Sequence, residues 1–266
     1  MDDGEIQKII KETPALLTFS EAKTLFNLAK SITAQGVFVE IGSYKGGSTI
    51  LLANASLAGP GVKVYAIDPH VHATKEIFMK NISEAKIGGW VQPVYQESLI
   101  AFKNWQLPIS LLFIDGSHRY KDVVFDIYHW EQFLTIGGLI IFHDAAYIKK
   151  PWYFLSKDKT RRPGVERAVK ELFLTGRFIK EGTIDTLVFA KKIKSGEPLP
   201  VDWLHPYLTY VFKKEFWLTV KYIFITNLII KIDFCIGQIG KALKFFSPRT
   251  YWFCKKIIIK VRFLVK

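Results

Sequence analysis

A glycine-rich turn early in the chain combines residue types that suit a nucleotide-like ligand. It lies in the segment Val-Phe-Val-Glu-Ile-Gly-Ser-Tyr-Lys-Gly-Gly-Ser-Thr, residues 37–49. Glycine lets the backbone approach a ligand closely, and a helix that begins near Ser48 would present free N–H groups to a carboxylate or phosphate. Glu40, Gly42, Ser43 and Ser48 are therefore candidate binding residues.

Two familiar phosphate-binding turns do not match this segment. A dinucleotide-binding turn requires G-x-G-x-x-G, whereas residues 42–47 read G-S-Y-K-G-G, without glycine at the second required position. A P-loop requires a Gly-Lys-Ser/Thr triplet, which does not follow here. Tight packing between a strand and a helix remains the structural alternative.

The next predicted strand also ends in an acid. Asp68 follows Ile67 and precedes Pro69. A carboxylate at the carboxyl end of a neighbouring strand can accept hydrogen bonds from both hydroxyls of a ribose. A turn-forming aspartate before proline is the structural alternative, but the pair of motifs is more specific than either alone and indicates a nucleoside site.

Two later motifs bring acids and histidines to further strand ends. Residues 111–120, Leu-Leu-Phe-Ile-Asp-Gly-Ser-His-Arg-Tyr, contain Asp115 and His118, and residues 137–144, Gly-Gly-Leu-Ile-Ile-Phe-His-Asp, end in His143 and Asp144. Carboxylates with an imidazole suit a divalent ion such as Mg²⁺ or Mn²⁺, so Asp115, His143 and Asp144 are candidate ligands. A metal-free base is the rival, with Asp115, His118 and His143 as candidate catalytic residues.

Short apolar runs alternate with amphipathic stretches from Gly36 onward, as in a parallel sheet wound with crossover helices. The predicted strands are Val37–Ile41, Val62–Ile67, Val91–Tyr95, Ile109–Ile114 and Leu139–Phe142, followed by a hairpin of Phe178–Gly182 and Thr186–Ala190. The predicted helices are Ser20–Ile32, with Ser20 as its cap, Ser48–Ser56, Thr74–Ala85, Leu99–Asn104, Lys121–Leu134 and Gly164–Leu174.

Together the motifs resemble those of class I S-adenosylmethionine-dependent methyltransferases, in the O-methyltransferase branch with the methyltransferase-24 family, the cephalosporin-hydroxylase-like proteins and the macrolide-sugar O-methyltransferases. The resemblance covers roughly residues 36–192. It implies a Rossmann-like α/β fold whose sheet is mostly parallel, with an antiparallel edge hairpin. The implied cofactor contacts are Glu40 and Gly42 at the methionine part, Asp68 at the ribose, Ser98 near the adenine, and Asp115 and His118 facing the transferred methyl.

The resemblance implies methyl transfer from S-adenosylmethionine to a hydroxyl. The expected acceptor is a sugar in a glycan, a glycolipid or a glycosylated natural product; small phenols are an alternative, and nucleic acid is disfavoured. A divalent cation would stabilise the developing alkoxide. The competing hypothesis is a non-catalytic membrane-associated scaffold with a methyltransferase-like domain, which acids at consecutive strand ends disfavour.

Charge divides the chain into a predicted domain over residues 1–195 and a basic, aromatic helical tail over residues 201–266. The tail holds 12 lysines and arginines against 3 acids, and so carries most of the net charge of +13. Basic residues interleaved with aromatic and aliphatic ones indicate attachment to an anionic membrane surface. Self-association, packing on the core and a tilted membrane span are the alternatives.

The positions of the cysteines and the first residues of the chain indicate the cellular compartment of the protein. Cys235 and Cys254, the only cysteines, lie in the tail, which favours a reducing compartment. The acidic start, Met-Asp-Asp-Gly-Glu, is unlike a signal peptide. We therefore expect a cytoplasmic protein, peripheral at the inner face of the membrane and capable of homo-oligomerisation.

Overall fold

The structure is a computed structural model that describes residues 1–13, 16–71, 74–146 and 162–196. The predicted tail lies outside the described residues. A seven-stranded sheet forms the centre, with strands β1 (Val37–Ile41), β2 (Val64–Ile67), β3 (Val91–Val94), β4 (Ile109–Ile114), β5 (Leu134–Phe142), β6 (Phe178–Ile184) and β7 (Leu187–Lys192). Their order across the sheet is β3-β2-β1-β4-β5-β7-β6.

The first five strands are parallel, and β7 lies antiparallel between β5 and β6. This confirms the predicted Rossmann-like sheet with an antiparallel edge hairpin. The hairpin turn differs in position from the prediction, because β6 continues through Ile184 and leaves Asp185 and Thr186 as the turn. Asp185 has a φ of 51°, the left-handed conformation that aspartate tolerates better than most residues.

Helices flank the sheet on both faces, as predicted. They are α1 (Asp3–Glu12), α2 (Phe19–Lys30), α3 (Gly47–Leu57), α4 (Thr74–Glu84), α5 (Ser98–Ala101), α6 (Tyr120–Trp130) and α7 (Pro163–Leu174), with 3₁₀ turns at Phe102–Asn104 and Glu131–Phe133. Within the described ranges, none of them has the length and apolar character needed to cross a bilayer.

Capping boxes begin the first two helices. In α2 the Thr18 side chain accepts a hydrogen bond from the Glu21 N–H, and the Glu21 side chain accepts one from the Thr18 N–H. The predicted cap at Ser20 is therefore wrong, because the Thr-x-x-Glu pair satisfies two backbone donors reciprocally. Helix α1, which the sequence analysis did not predict, begins with the same device at Asp2 and Glu5.

Alternating side chains of the central strand β4 build two separate apolar layers. Leu111 and Phe113 join the layer beneath α2 and α3, whereas Leu112 and Ile114 join the layer beneath α6 and α7. All four are fully or almost fully buried. Burial of each such side chain stabilises the fold by about 1.5–3 kcal/mol, so the middle of the sheet is a rigid platform for residues at its edge.

Candidate active site

The register of the parallel strands brings the predicted site residues to one edge. Ile41 is aligned with Ile67 on β2 and with Ile114 on β4, and Ile114 is aligned with Phe142 on β5. The residues that follow these positions must therefore emerge together at the carboxyl edge of the sheet. They are Gly42, Asp68, Asp115 and His143.

Gly42 allows the glycine-rich turn to pack against the end of β4. Its φ is +92°, and a Cβ there would lie 2.2 Å from the carbonyl oxygen of Asp115. The Gly42 N–H donates to the Ile67 carbonyl at 2.9 Å, and the Asp115 N–H donates to the Ile41 carbonyl at the same distance. The glycine predicted to approach a ligand is therefore also required to join three strand ends.

Glu40 is a fully buried carboxyl group beside the turn. One oxygen accepts a hydrogen bond from the Thr49 hydroxyl, and the other, Oε1, has no hydrogen-bond partner among the described residues. Burial raises its pKa to about 8, the Ser48 and Thr49 hydroxyls offset part of this, and the Asp115 and Asp68 carboxylates raise it further. A cation next to Oε1 would stabilise the ionised carboxylate of Glu40 and so lower its pKa.

The start of α3 supplies donors next to this acid. Gly46 is the N-cap of α3 and has a φ of 90°. The N–H groups of the first turn have no carbonyl partner within the helix, because no helical residue precedes them. Ser43 is buried, and its hydroxyl has no hydrogen-bond partner in the described part of the chain. A helix start with unpaired donors and a buried acid with an unsatisfied oxygen thus flank the same turn.

Asp68 holds the turn in place as well as facing the edge. One carboxylate oxygen accepts a hydrogen bond from the Tyr44 N–H at 2.8 Å, and the other accepts from the His70 N–H at 2.7 Å. Tyr44 has a φ of 45°, so this contact stabilises a strained backbone. Each carboxylate oxygen retains a further lone pair for a ligand hydroxyl.

Ser98 begins α5, where its hydroxyl donates to the Asp126 carboxyl of α6 at 2.6 Å. Asp126 is buried, and burial raises its pKa to about 7, partly offset by the Ser98 hydrogen bond. Asp126 was not predicted, because a lone aspartate within an amphipathic helix gives no sequence signal. The pair makes Ser98 an anchor of the loop after β3.

His118 and Asp144 form an exposed pair at the end of the site. Nε2 of His118 lies 2.9 Å from Oδ2 of Asp144, and the His118 side chain is 42% exposed. Nε of Arg162 lies 3.6 Å from the same Asp144 oxygen. Burial would raise the pKa of Asp144, but the contacts with His118, His143 and Arg162 lower it, so this acid is ionised.

His143 lies between two acids. Its Nδ1 donates to Oδ1 of Asp115 at 3.1 Å, and its Nε2 lies 3.4 Å from Oε2 of Glu21. Burial would lower the pKa of His143, but the carboxylates of Asp115 and Glu21 raise it to about 10. Both ring nitrogens of His143 therefore face carboxylates, and an imidazolium has no lone pair with which to accept a proton.

The donor set does not fit the predicted divalent ion. Both ring nitrogens of His143 are directed at carboxylates, and the nearest Asp144 oxygen already contacts His118. No group of three or more acidic, histidine or cysteine side chains among the described residues is arranged to hold a metal. The residue types at Asp115, His143 and Asp144 suggested a metal, whereas their contacts are those of an ion-pair network.

Glu21 is the site residue that sequence reasoning missed. It lies on α2, is 1% exposed, and connects His143 with Thr186 in the hairpin turn. The Thr18-x-x-Glu21 spacing marks it as a capping residue. Its contacts with His143 and Thr186 join it to residues more than 120 positions further along the chain. The sequence around Glu21 does not indicate these contacts.

Comparison with known proteins agrees with this geometry. Residues 39–145 match the methyltransferase-24 family model, described as a methyltransferase domain. The uncharacterized protein R132 of Acanthamoeba polyphaga mimivirus is 32% identical over 148 residues, which make up 52% of this chain and 65% of that protein. The chain thus spans slightly less than two thirds of that relative.

Solved structures share the fold at low sequence identity. Cofactor-bound Rv0187 from MTB superposes with a TM-score of 0.56 at 22% identity, covering 73% of this chain and 92% of that one. The O-methyltransferase from Bacillus cereus, solved in complex with SAH, gives a TM-score of 0.53 at 18% identity, covering 72% and 92%.

The strand order and these superpositions show that the chain shares the Rossmann-like fold of the solved structures. The match to the methyltransferase-24 family model over residues 39–145 covers less than half of the chain and agrees with the resemblance of its motifs.

Proposed function

We propose that the protein is an S-adenosylmethionine-dependent O-methyltransferase. The observation that carries the proposal is the buried Glu40 at the end of β1, whose Oε1 has no hydrogen-bond partner among the described residues and which is joined to the start of α3 by the glycine-rich turn. The amino acid part of S-adenosylmethionine carries an ammonium, which can pair with Glu40, and a carboxylate, which can accept hydrogen bonds from the start of α3.

Electrostatics separate this cofactor from a dinucleotide. Burial is the main cause of the raised pKa of Glu40, and the Asp115 and Asp68 carboxylates raise it further, so three acidic side chains act on one another at this edge. A diphosphate would be repelled there, whereas a ligand with an ammonium and a sulfonium would be attracted. Asp68 would hold the ribose hydroxyls, because it lies at the end of the adjacent strand and has lone pairs to spare.

Bound S-adenosylmethionine would supply an electrophilic methyl group. The protein supplies the proton acceptor. Because Nε2 of His118 faces Asp144, the neutral ring carries its proton on that nitrogen and keeps a lone pair on Nδ1. His118 would take the proton of the acceptor hydroxyl at Nδ1, and Asp144 would stabilise the resulting imidazolium. The acceptor oxygen would bond to the methyl carbon as the sulfonium carbon–sulfur bond broke, with S-adenosylhomocysteine as the leaving group.

For the acceptor we propose a sugar hydroxyl in a glycan, a glycolipid or a glycosylated natural product. The exposure of His118 leaves the proposed base accessible to an acceptor that enters from solvent. The test is release of S-adenosylhomocysteine from S-adenosylmethionine with a panel of hexosides and deoxyhexosides, compared with a panel of phenols. Turnover with sugars alone supports the proposal, and turnover with phenols alone overturns the choice of acceptor.

Cofactor binding is tested by calorimetric titration with S-adenosylhomocysteine, with NADH in parallel. We expect binding of the former only, weakened in Asp68→Ala and unchanged in Asp3→Ala, which removes an exposed acid paired with Lys23 on the surface. Failure of the wild-type protein to bind S-adenosylhomocysteine would favour the non-catalytic scaffold.

We also propose that residues 201–266 attach the domain to an anionic membrane surface, on the strength of their charge and aromatic content. The intact chain should sediment with vesicles containing phosphatidylserine and remain free of phosphatidylcholine vesicles. High salt should reverse the binding. Equal binding to both kinds of vesicle would contradict an electrostatic attachment.

A further inference from the structure

We propose that Glu21 is a positioning residue of the candidate active site, which acts through His143 to fix the carboxylate of Asp115. Its meaning for catalysis rests on the proposed function. Glu21 lies outside residues 39–145, the segment that matches the methyltransferase family, so the inference concerns a part of the chain that the match does not cover.

The contacts of Glu21 come from three separate parts of the fold. Its Oε2 accepts a hydrogen bond from the Thr18 N–H at 2.9 Å, within the cap of α2. Its Oε1 accepts two hydrogen bonds from Thr186, from the N–H at 2.8 Å and from the hydroxyl at 2.6 Å. The third contact is the 3.4 Å approach of Oε2 to Nε2 of His143 at the end of β5.

Burial distinguishes Glu21 from an ordinary capping residue. A capping-box glutamate needs only a backbone N–H and is usually exposed, but Glu21 is 1% exposed. A buried carboxylate requires an opposite charge or complete hydrogen bonding. His143 is the cation that faces it, and His143 is itself 7% exposed.

The pairing determines where Asp115 lies. While Nε2 of His143 is directed at Glu21, Nδ1 on the other side of the ring points at Asp115, which accepts its hydrogen bond at 3.1 Å. Asp144 also faces the ring, with Oδ2 4.0 Å from Nδ1, and His118 contacts Asp144 from the other side. Three carboxylates therefore share one imidazolium, and Glu21 is the one that lies furthest from solvent.

The protonation states agree with this geometry. Burial would raise the pKa of Glu21, but hydrogen bonds from His143, Thr186 and Thr18 lower it to about 2. The opposite shift of His143 means that both partners are charged at neutral pH. Removal of the Glu21 charge would lower the pKa of His143 and remove one of the contacts that orient its ring.

The test compares Glu21→Gln with Thr18→Ala. The glutamine keeps the shape and an oxygen for Thr186 but removes the charge, whereas the alanine breaks the same capping box and leaves the carboxylate opposite His143. The imidazole of His143 is titrated by NMR in protein with ¹⁵N-labelled histidine, its signal assigned with His143→Gln, and the affinity for S-adenosylhomocysteine is measured by calorimetry.

We expect Glu21→Gln to lower the pKa of His143 by at least about one unit and to weaken S-adenosylhomocysteine binding about tenfold, the effect of one well-placed hydrogen bond. Thr18→Ala should lose stability without either change. Equal behaviour of the two variants would overturn the proposal and leave Glu21 a capping residue. If the wild-type protein bound no S-adenosylhomocysteine, the proposed function would fail, while the His143 titration would still decide the pairing.

A second variant covers the case in which Glu21→Gln does not fold. The double variant Glu21→Gln/His143→Gln removes both charges, so it should recover the folded state if the unpaired imidazolium is what destabilises the single variant. Failure of the double variant to recover would show that the charge pair is not the function of Glu21, and would overturn the proposal.

Discussion

Nε2 of His118 lies 2.9 Å from Oδ2 of Asp144, so a solvent-facing imidazole and a carboxylate from the ends of two adjacent strands form one pair. His118→Asn should therefore lower methyl transfer by a factor of about 10²–10⁴, the usual contribution of a general base. S-adenosylhomocysteine binding should be retained. The rate is measured as S-adenosylhomocysteine release with the best acceptor of the sugar and phenol panels, and full turnover in this variant would exclude His118 as the base.

Glu40→Gln should make the ligand-free domain more stable while it loses cofactor binding. Because burial raises the pKa of Glu40 to about 8 from 4.5, the folded state holds a proton that the unfolded chain releases between these values. Stability therefore falls as pH rises through this range. Glutamine has no such proton, so its advantage in urea unfolding should grow from mildly acidic pH to about pH 8.

The same variant provides its own check against a purely structural role for Glu40. Wild-type protein should gain thermal stability when S-adenosylhomocysteine is added, by mass action on the folded state. Glu40→Gln should gain little or nothing. A variant that is both more stable and fully responsive to the ligand would contradict a contact between Glu40 and the cofactor.

Divalent ions should not stabilise the domain. Both His143 nitrogens face acids, and a metal would have to displace an ion pair that is already satisfied. Thermal unfolding should therefore be the same with millimolar Mg²⁺ or Mn²⁺ as with a chelator, and methyl transfer should survive chelation. A metal-dependent rise in unfolding temperature that disappears in Asp115→Asn would restore the predicted metal site.

Gly42→Ala should be far more damaging than Gly61→Ala. Both glycines have positive φ, so each substitution strains the backbone by about 1–2 kcal/mol. A Cβ at Gly61 meets nothing within 4 Å, whereas one at Gly42 would lie 2.2 Å from a backbone oxygen of Asp115. Urea unfolding measures the difference, and equal losses would show that β1 and β4 can separate at little cost.

The His143 and Glu21 pair should stabilise the fold most between about pH 4.5 and 6.5. The pKa of Glu21 is lowered to about 2 from 4.5, so its contribution is lost as pH falls below 4.5. The pKa of His143 is raised to about 10 from 6.5, so its contribution declines as pH rises above 6.5. His143→Gln should therefore be least stable relative to wild type inside that window, as measured by urea unfolding across pH.

Sequence alone predicted that the candidate site residues lie at strand ends, because each motif coincides with the end of an apolar strand. The alternation of strands and helices was enough to place Glu40, Asp68, Asp115 and His143 at or next to strand ends. The register of the parallel strands brings those ends to one edge of the sheet. The prediction of a metal site had less support from the sequence than the prediction of the sheet edge. Residue types show which ligands are available, but the orientation of His143 between two acids depends on Glu21, which is far away in sequence.

Contacts between distant segments account for the other differences. Thr186 forms hydrogen bonds with a residue 165 positions earlier, and the Ser98 hydroxyl with one 28 positions later. Neither pairing leaves a periodicity or a motif. Helix α1 was missed for a different reason, since its Asp2-x-x-Glu5 capping box was visible but the short segment behind it has only Ile6 as a buried side chain.

The link between Glu21 and Thr186 also bears on how the domain is made. A ribosome delivers α2 long before it delivers the hairpin turn, so Glu21 gains its Thr186 partner only after 165 further residues have been synthesised. Contacts of such long sequence separation slow the last stage of folding. Two of the three hydrogen bonds that hold the Glu21 carboxylate, those from Thr186, can form only after the antiparallel hairpin has been made, so the surroundings of this buried acid are completed late in synthesis.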